Sequence, residues 1–305
     1  MMRTPIKYHR LITVLLTAAP IYLLASCDTS IEPFQEADLH FSIWGYLDAG
    51  ADSQFVRVSP LRRSISLGDQ DIDATVLLED LESGAKTILR DSIFVFGEKT
   101  VHNYWTDVLL EHEKTYRLSV SNSAGDVSDA VVTLPKAFPA PDIALMGGTG
   151  VPPEDTPLNI KISGVDRLAA IKIIYQLGTP SDGSPTEYFE VSYLDRVAVW
   201  PDFLAVAVIP YDEFFRKTFS KSCPLVSDAW VVVASAGPGW PDLLNIDDET
   251  LARPDVVTNV NNGVGFIGGI SSKVFHMPEL ADLLAGLQDL CRRCAAGERI
   301  LACIF

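Results

Sequence analysis

The chain has 305 residues, 48% of them hydrophobic, and 40 acidic against 24 basic side chains, for a net charge of −16. That charge works against a nucleic-acid partner or an anionic lipid surface. The hydrophobic content, with 20 glycines and 19 prolines, excludes a disordered stalk, and the length exceeds what one small core serves, so two domains are expected.

Arg3, Lys7, His9 and Arg10 form a basic start, and LITVLLTAAPIYLLA over residues 11–25 is an apolar run. A transmembrane helix needs about 20 apolar residues, and Pro20 interrupts this one. Residues 1–26 therefore read as a secretory signal peptide. Leu24-Ala25-Ser26-Cys27 matches a bacterial lipobox, in which two small residues fit a peptidase groove and the cysteine becomes the new N-terminus. The Cys27 thiolate would carry diacylglycerol as a thioether. Each buried methylene contributes about 0.8 kcal/mol, so two or three acyl chains would give a lasting anchor. Cleavage removes Arg3, Lys7 and Arg10 and no acidic residue, so −16 becomes −19. Residues 27–40, the lipidated cysteine and a polar, unpatterned stretch, read as a tether.

Short β-branched or aromatic runs then follow at Phe41–Leu47, Gln54–Val58, Ala74–Leu78 and Thr87–Leu89, separated by turn residues. That pattern predicts a sandwich and not alternating β and α units. From Tyr116 to Leu134, apolar alternation, a turn at Asn122–Gly125 and a returning apolar run predict a hairpin. Tyr116 stands where the tyrosine corner of an immunoglobulin-like sandwich would place it; an ordinary strand tyrosine fits equally. Residues 41–134 are thus an N-terminal immunoglobulin-like β-sandwich.

Pro135, Pro139 and Pro141 end that unit, and residues 135–156 read as a linker. Strands resume at Leu158–Ile162, Ala170–Leu177, Tyr188–Tyr193, Leu204–Ile209 and Trp230–Ala234, with a short helix expected at Tyr211–Phe219. Residues 157–276 form a second β-rich domain. In residues 277–305, Pro278 opens a run with Leu280, Leu283, Leu284, Leu287 and Leu290 at helical spacing, so a short helix and a cysteine-containing tail are expected. The fold class is mainly β: two β-sandwich-like domains and a short C-terminal helix.

Several motifs suggest chemistry and stop short of it. Gly263-Val-Gly-Phe-Ile-Gly268 spells a dinucleotide fingerprint, but Ile270–Phe275 reads as a strand where a phosphate-binding helix is required, so a glycine-rich bend between strands is expected. His112-Glu-Lys-Thr-Tyr116 begins like a zinc-protease helix, with Tyr116 in place of the second histidine. Asp69-Gln-Asp-Ile-Asp73 alternates carboxylates like a calcium loop, yet Ala74 replaces the obligatory glycine, and a solvated turn fits better. No cofactor, metal or catalytic set is called for. Cys223, Cys291, Cys294 and Cys303 allow three pairings, and one or two structural disulfides pinning the tail are expected. Trp105, Trp200 and Trp240 lie beside turn-like residues, where exposed aromatics next to carboxylates suit stacking on sugar rings.

The lipobox, the early strand, DATVLLEDLESG, HEKTYRLSV and VVTNVNNGVGFIGG together resemble the bacterial lipoprotein family called domain of unknown function 4249. The matching features are Cys27, Phe41–Leu47, Ala74–Leu78, Tyr116–Val120 and Asn259–Gly268, and Cys291 and Cys294 followed by Gly297 are similar to the tail of some members. The chain departs from the family in its Leu-rich run and ILACIF ending. The resemblance implies an outer-membrane address in diderm bacteria, often beside TonB-dependent receptors. The expected function is a non-enzymatic, lipid-anchored accessory or ligand-binding component of an outer-membrane uptake system, with glycan or peptide as ligand. Alternatives are an envelope hydrolase and a structural adhesin or spacer.

Overall fold

A computed structural model describes residues 39–61, 72–96, 99–146, 156–178, 187–209, 226–241 and 257–284. The strands of the first half are β1 (Phe41–Asp48), β2 (Gln54–Pro60), β3 (Thr75–Asp80), β4 (Lys86–Ile88), β5 (Arg90–Phe96), β6 (Lys99–Thr106), β7 (Thr115–Ser121) and β8 (Val127–Thr133). Those of the second half are β9 (Asp142–Leu145), β10 (Leu158–Ser163), β11 (Leu168–Leu177), β12 (Glu187–Ser192), β13 (Ala198–Val199), β14 (Phe203–Val208), β15 (Val226–Ala236) and β16 (Gly263–His276). The chain is mainly β, as its alternating runs predict. The signal peptide, the tether as far as residue 38, the expected Tyr211–Phe219 helix, and Cys27, Cys223, Cys291, Cys294 and Cys303 lie outside the described residues.

The described strands form three sheets. An eight-stranded sheet has the order β12-β11-β15-β16-β1-β2-β6-β5, and two four-stranded sheets have the orders β4-β3-β7-β8 and β13-β14-β10-β9. Alternation decides which side of each strand is buried. In β7, Tyr116, Leu118 and Val120 point inward between half-buried polar neighbours. One core gathers Ile43, Val58, Val76, Leu118, Val120 and Val132 between β4-β3-β7-β8 and one end of the large sheet. The other gathers Ile160, Ile162, Ile171, Ile173, Tyr175 and Val231 between β13-β14-β10-β9 and its opposite end. Each such aliphatic contributes about 1.5–3 kcal/mol when taken out of water. Helical residues 278–284 close the second core with Leu280, Ala281 and Leu284, and Leu283 packs against it; Leu287 and Leu290 of the expected helical spacing lie outside the described residues.

Tyr116 makes a corner: its hydroxyl accepts a hydrogen bond from the Glu111 N–H at 3.0 Å, five residues upstream. Between β7 and β8, Asn122 accepts at its Oδ1 from the Asp126 N–H at 2.9 Å, and Gly125 supplies the left-handed residue at φ 90°. The segment read as a linker carries an edge strand, because β9 pairs with β10 beyond the three prolines.

The joining element is β16. Its first half runs parallel to β1, from Phe41↔Gly263 to Asp48↔Ile270, and its second half is antiparallel to β15. Ile267 lies in the first core and Phe275 packs on the second, so one strand serves both. The glycine-rich bend expected at Gly263–Gly268 is therefore corrected: these glycines lie within a continuous strand. Close packing explains them. A Cβ on Gly265, at φ 117°, would stand 2.0 Å from the Ile43 carbonyl oxygen.

At the crossover, the buried Asp48 carboxylate accepts from the Gly50 N–H at 2.7 Å, the Ser272 N–H at 2.9 Å and the Ser272 hydroxyl. Upstream, Asn259 acts as an extra peptide unit: its Nδ2 donates to the Ile267 carbonyl at 2.8 Å and its Oδ1 accepts from the Ile267 N–H at 2.9 Å.

Candidate functional site

The inner face of the eight-stranded sheet is filled by the two cores, so function is sought on its outer face. Even-numbered residues of β1 and odd-numbered residues of β2 point there, and the register aligns them in two cross-strand rows. One row runs Phe266–Trp44–Arg57–Asn103–Ser92. The next runs Gly268–Tyr46–Phe55–Trp105–Arg90. Each row crosses five strands, about 19 Å at roughly 4.8 Å per strand spacing.

Trp240 completes the second row. It has no place in the ladder, but a Cβ on Gly268 would stand 2.2 Å from its ring, so the indole occupies the space that Gly268 leaves. The ring meets Phe266 edge-on, centroids 5.5 Å apart and planes at 87°. Three backbone contacts hold its turn: Gly237 N–H donates to the Gly269 carbonyl at 2.7 Å, Trp240 N–H to the Gly237 carbonyl at 3.1 Å, and Arg167 to the Trp240 carbonyl.

At the other end, Phe55 and Trp105 stack at 6.3 Å and 19°. The Arg90 guanidinium lies 4.0 Å over the Trp105 ring and donates to Asp107 at 2.7 Å. That hydrogen bond holds the Asp107 carboxyl below its usual range. Trp44, Tyr46 and Phe55 are 44%, 52% and 52% exposed, so their faces are open to a ligand. With Arg57 and Asn103 they line an open depression of about 460 Å³. Arg57 Nε donates to Asn103 Oδ1 at 3.5 Å, and among the described residues no carboxylate pairs with this guanidinium. Flat aromatic faces interleaved with N–H donors suit a ligand that is apolar on its faces and polar at its edges.

Of the three predicted tryptophans, Trp105 and Trp240 stand at opposite ends of this row. Trp200 does not join them. It follows β13 in the β13-β14-β10-β9 sheet, 56% exposed and stacked on Phe203 at 5.8 Å. The sequence reading missed Trp44, Tyr46, Phe55, Phe266 and Arg57. Their signal was present, since FSIWGYLD and QFVRV put aromatics and arginine on the positions that alternate with the buried Ile43, Leu47, Val56 and Val58.

The other motifs settle into local structure. His112 and Glu113 form a turn, with His112 Nδ1 3.3 Å from the Pro135 carbonyl and Glu113 at φ 63°. Asp73 accepts from the Ser123 N–H and hydroxyl, which lowers its pKa, while Asp69 and Asp71 lie outside the described residues. Among the described residues no group of three or more His, Cys, Asp or Glu side chains is placed to hold a metal ion, and no helix is long and apolar enough to cross a membrane.

No protein-family model and no curated protein matches the chain. Among solved structures it is similar to a pullulanase from Anoxybacillus sp. LM18-11, at 12% identity and a TM-score of 0.23, covering 64% of this chain and 24% of that one. It is also similar to the FN1–FN3 domains of chicken CNTN1, at 12% identity and a TM-score of 0.26, covering 78% of this chain and 62% of that one. The chain thus spans about a quarter of that pullulanase and less than two thirds of the CNTN1 chain. These TM-scores carry nothing about activity.

Proposed function

We propose that the chain is a lipid-anchored, non-enzymatic protein of the bacterial cell envelope that binds saccharide on the outer face of its eight-stranded sheet. It would serve as an accessory component of an outer-membrane uptake system beside a TonB-dependent receptor. The observation that carries the binding reading is the aromatic row from Trp240 through Tyr46 and Phe55 to Trp105, with Trp44, Arg57 and Asn103 alongside. Sugar rings present C–H faces to aromatics and hydroxyls to N–H donors, and each exposed stack contributes on the order of 1 kcal/mol. The lipobox at Cys27 supports the anchor, and the resemblance to the lipoprotein family supports the address.

The test is affinity electrophoresis of the detergent-solubilised chain in gels containing laminarin, xylan, mannan or galactan. Retardation by at least one polymer, lost in Trp44→Ala and Trp105→Ala variants that keep the wild-type circular dichroism, is expected. Absence of retardation by a broad polysaccharide panel removes the saccharide reading. Labelled palmitate should enter the wild-type chain and not Cys27→Ala; retention of label in that variant removes the anchor.

A further inference from the structure

A second aromatic cluster stands on the same face of the large sheet, at its other end. Trp230 of β15 lies between Tyr188 of β12, ring centroids 6.2 Å apart, and His276 of β16, 5.8 Å away. His276 Nε2 is 2.6 Å from Asp228 Oδ1, and Tyr188 is 62% exposed. The register fixes the facing. Along β16, Phe266 and His276 are separated by an even number of residues with no bulge in either ladder, while Ile267 and Phe275 on the odd positions serve the cores. Ile270, Ser272 and Val274 occupy the same face between the two clusters: Ile270 is buried, Ser272 is half-buried where it donates to Asp48, and Val274 is 63% exposed.

Because one unbroken strand carries both clusters, their separation is rigid. Ten residues from Phe266 to His276 at roughly 3.3 Å each make it about 33 Å. From this we infer that the ligand is a linear polysaccharide chain long enough to engage both clusters at once, and not a mono- or disaccharide. The inference rests on the saccharide reading above and extends it: the Tyr188–Trp230–His276 cluster is a second subsite. A fixed spacing makes the second contact intramolecular, so affinity rises with chain length in a step and not gradually. Two weak sites held this way gain about 100-fold when one ligand spans them.

Isothermal titration of the detergent-solubilised chain with linear gluco-, manno- and xylo-oligosaccharides, from disaccharide to decasaccharide, tests this. The expected result is a step of about 100-fold in affinity once the oligosaccharide reaches the inter-cluster distance. In Tyr188→Ala the ratio of long-chain to short-chain affinity should fall close to one; this exposed position avoids the packing risk of Trp230→Ala. A plateau reached by the trisaccharide, or a step that survives Tyr188→Ala, overturns the two-subsite inference and leaves the first site standing. Failure of every length to bind overturns the saccharide reading and this inference together.

Discussion

A buried carboxylate is tolerated only when donors meet its lone pairs, and Asp48 has the Gly50 N–H, the Ser272 N–H and the Ser272 hydroxyl. These bonds tie the end of β1 to the point where β16 changes partner. Asp48→Ala leaves two backbone N–H groups unmet and is expected to cost about 3 kcal/mol in urea-unfolding free energy, while Asp48→Asn, which keeps an acceptor, costs less. Tyr104 is a second residue-scale case. Burial, and secondarily the Asp91 carboxylate, push its phenol from 10.0 up to about 12. A raised folded-state value favours the neutral phenol, so this contribution to stability is full below the unfolded value. It is lost as pH rises from about 10 to about 12, because the unfolded chain ionises first. Urea midpoints followed across that window should fall, and Tyr104→Phe should flatten the Tyr104 share. The substitution itself costs about 1 kcal/mol at neutral pH, because the hydroxyl donates to the Ala74 carbonyl at 3.3 Å.

At the scale of the element, β16 depends on absent side chains. Gly265 allows the β1 backbone to approach, and Gly268 makes room for Trp240. Gly265→Ala meets a backbone oxygen at 2.0 Å in a left-handed conformation and should cost about 3 kcal/mol or more or give insoluble protein. Gly268→Ala meets a side chain that can move, so the protein should fold with a shifted tryptophan emission and weakened retardation in polysaccharide gels. An unchanged emission spectrum would show that Trp240 does not lie over Gly268. The same strand marks where the sequence was legible. Alternation in β1, β2, β7 and β8 identified the strands and the hairpin because local burial follows a period of two. The β5–β6 hairpin was passed over although Arg90–Phe96 holds β-branched and aromatic residues, and β9 was passed over because its four residues stand inside a proline- and glycine-rich stretch that reads as a linker. The parallel pairing of β1 with β16 has no local signature, because it joins opposite ends of the described chain. The Trp240 end of the aromatic row depends on that register, so Trp105 and Trp240 were singled out as separate residues, whereas Trp44 and Tyr46 were legible in the local alternation of β1 and were not singled out.

For the whole molecule, the consequence is mechanical coupling. Each core has its own four-stranded sheet, but both lean on the same eight-stranded sheet, and β16 contributes Ile267 to one and Phe275 to the other. Losing either core strips half of β16 of its packing and exposes the ladder that holds the remainder, so neither sandwich has a complete sheet without the other. Unfolding in urea is therefore expected to be one transition by far-ultraviolet circular dichroism and by tryptophan fluorescence. Leu118→Ala in the first core and Ile173→Ala in the second, both fully buried, should each lower stability by about 2–5 kcal/mol. Both should shift that same transition without changing its slope, and their costs should add within about 0.5 kcal/mol because they share no neighbours. Two transitions, one moved by Leu118→Ala alone and the other by Ile173→Ala alone, would mean that β16 links the sandwiches without coupling them. The fixed spacing between the aromatic clusters would then hold only while both halves are folded.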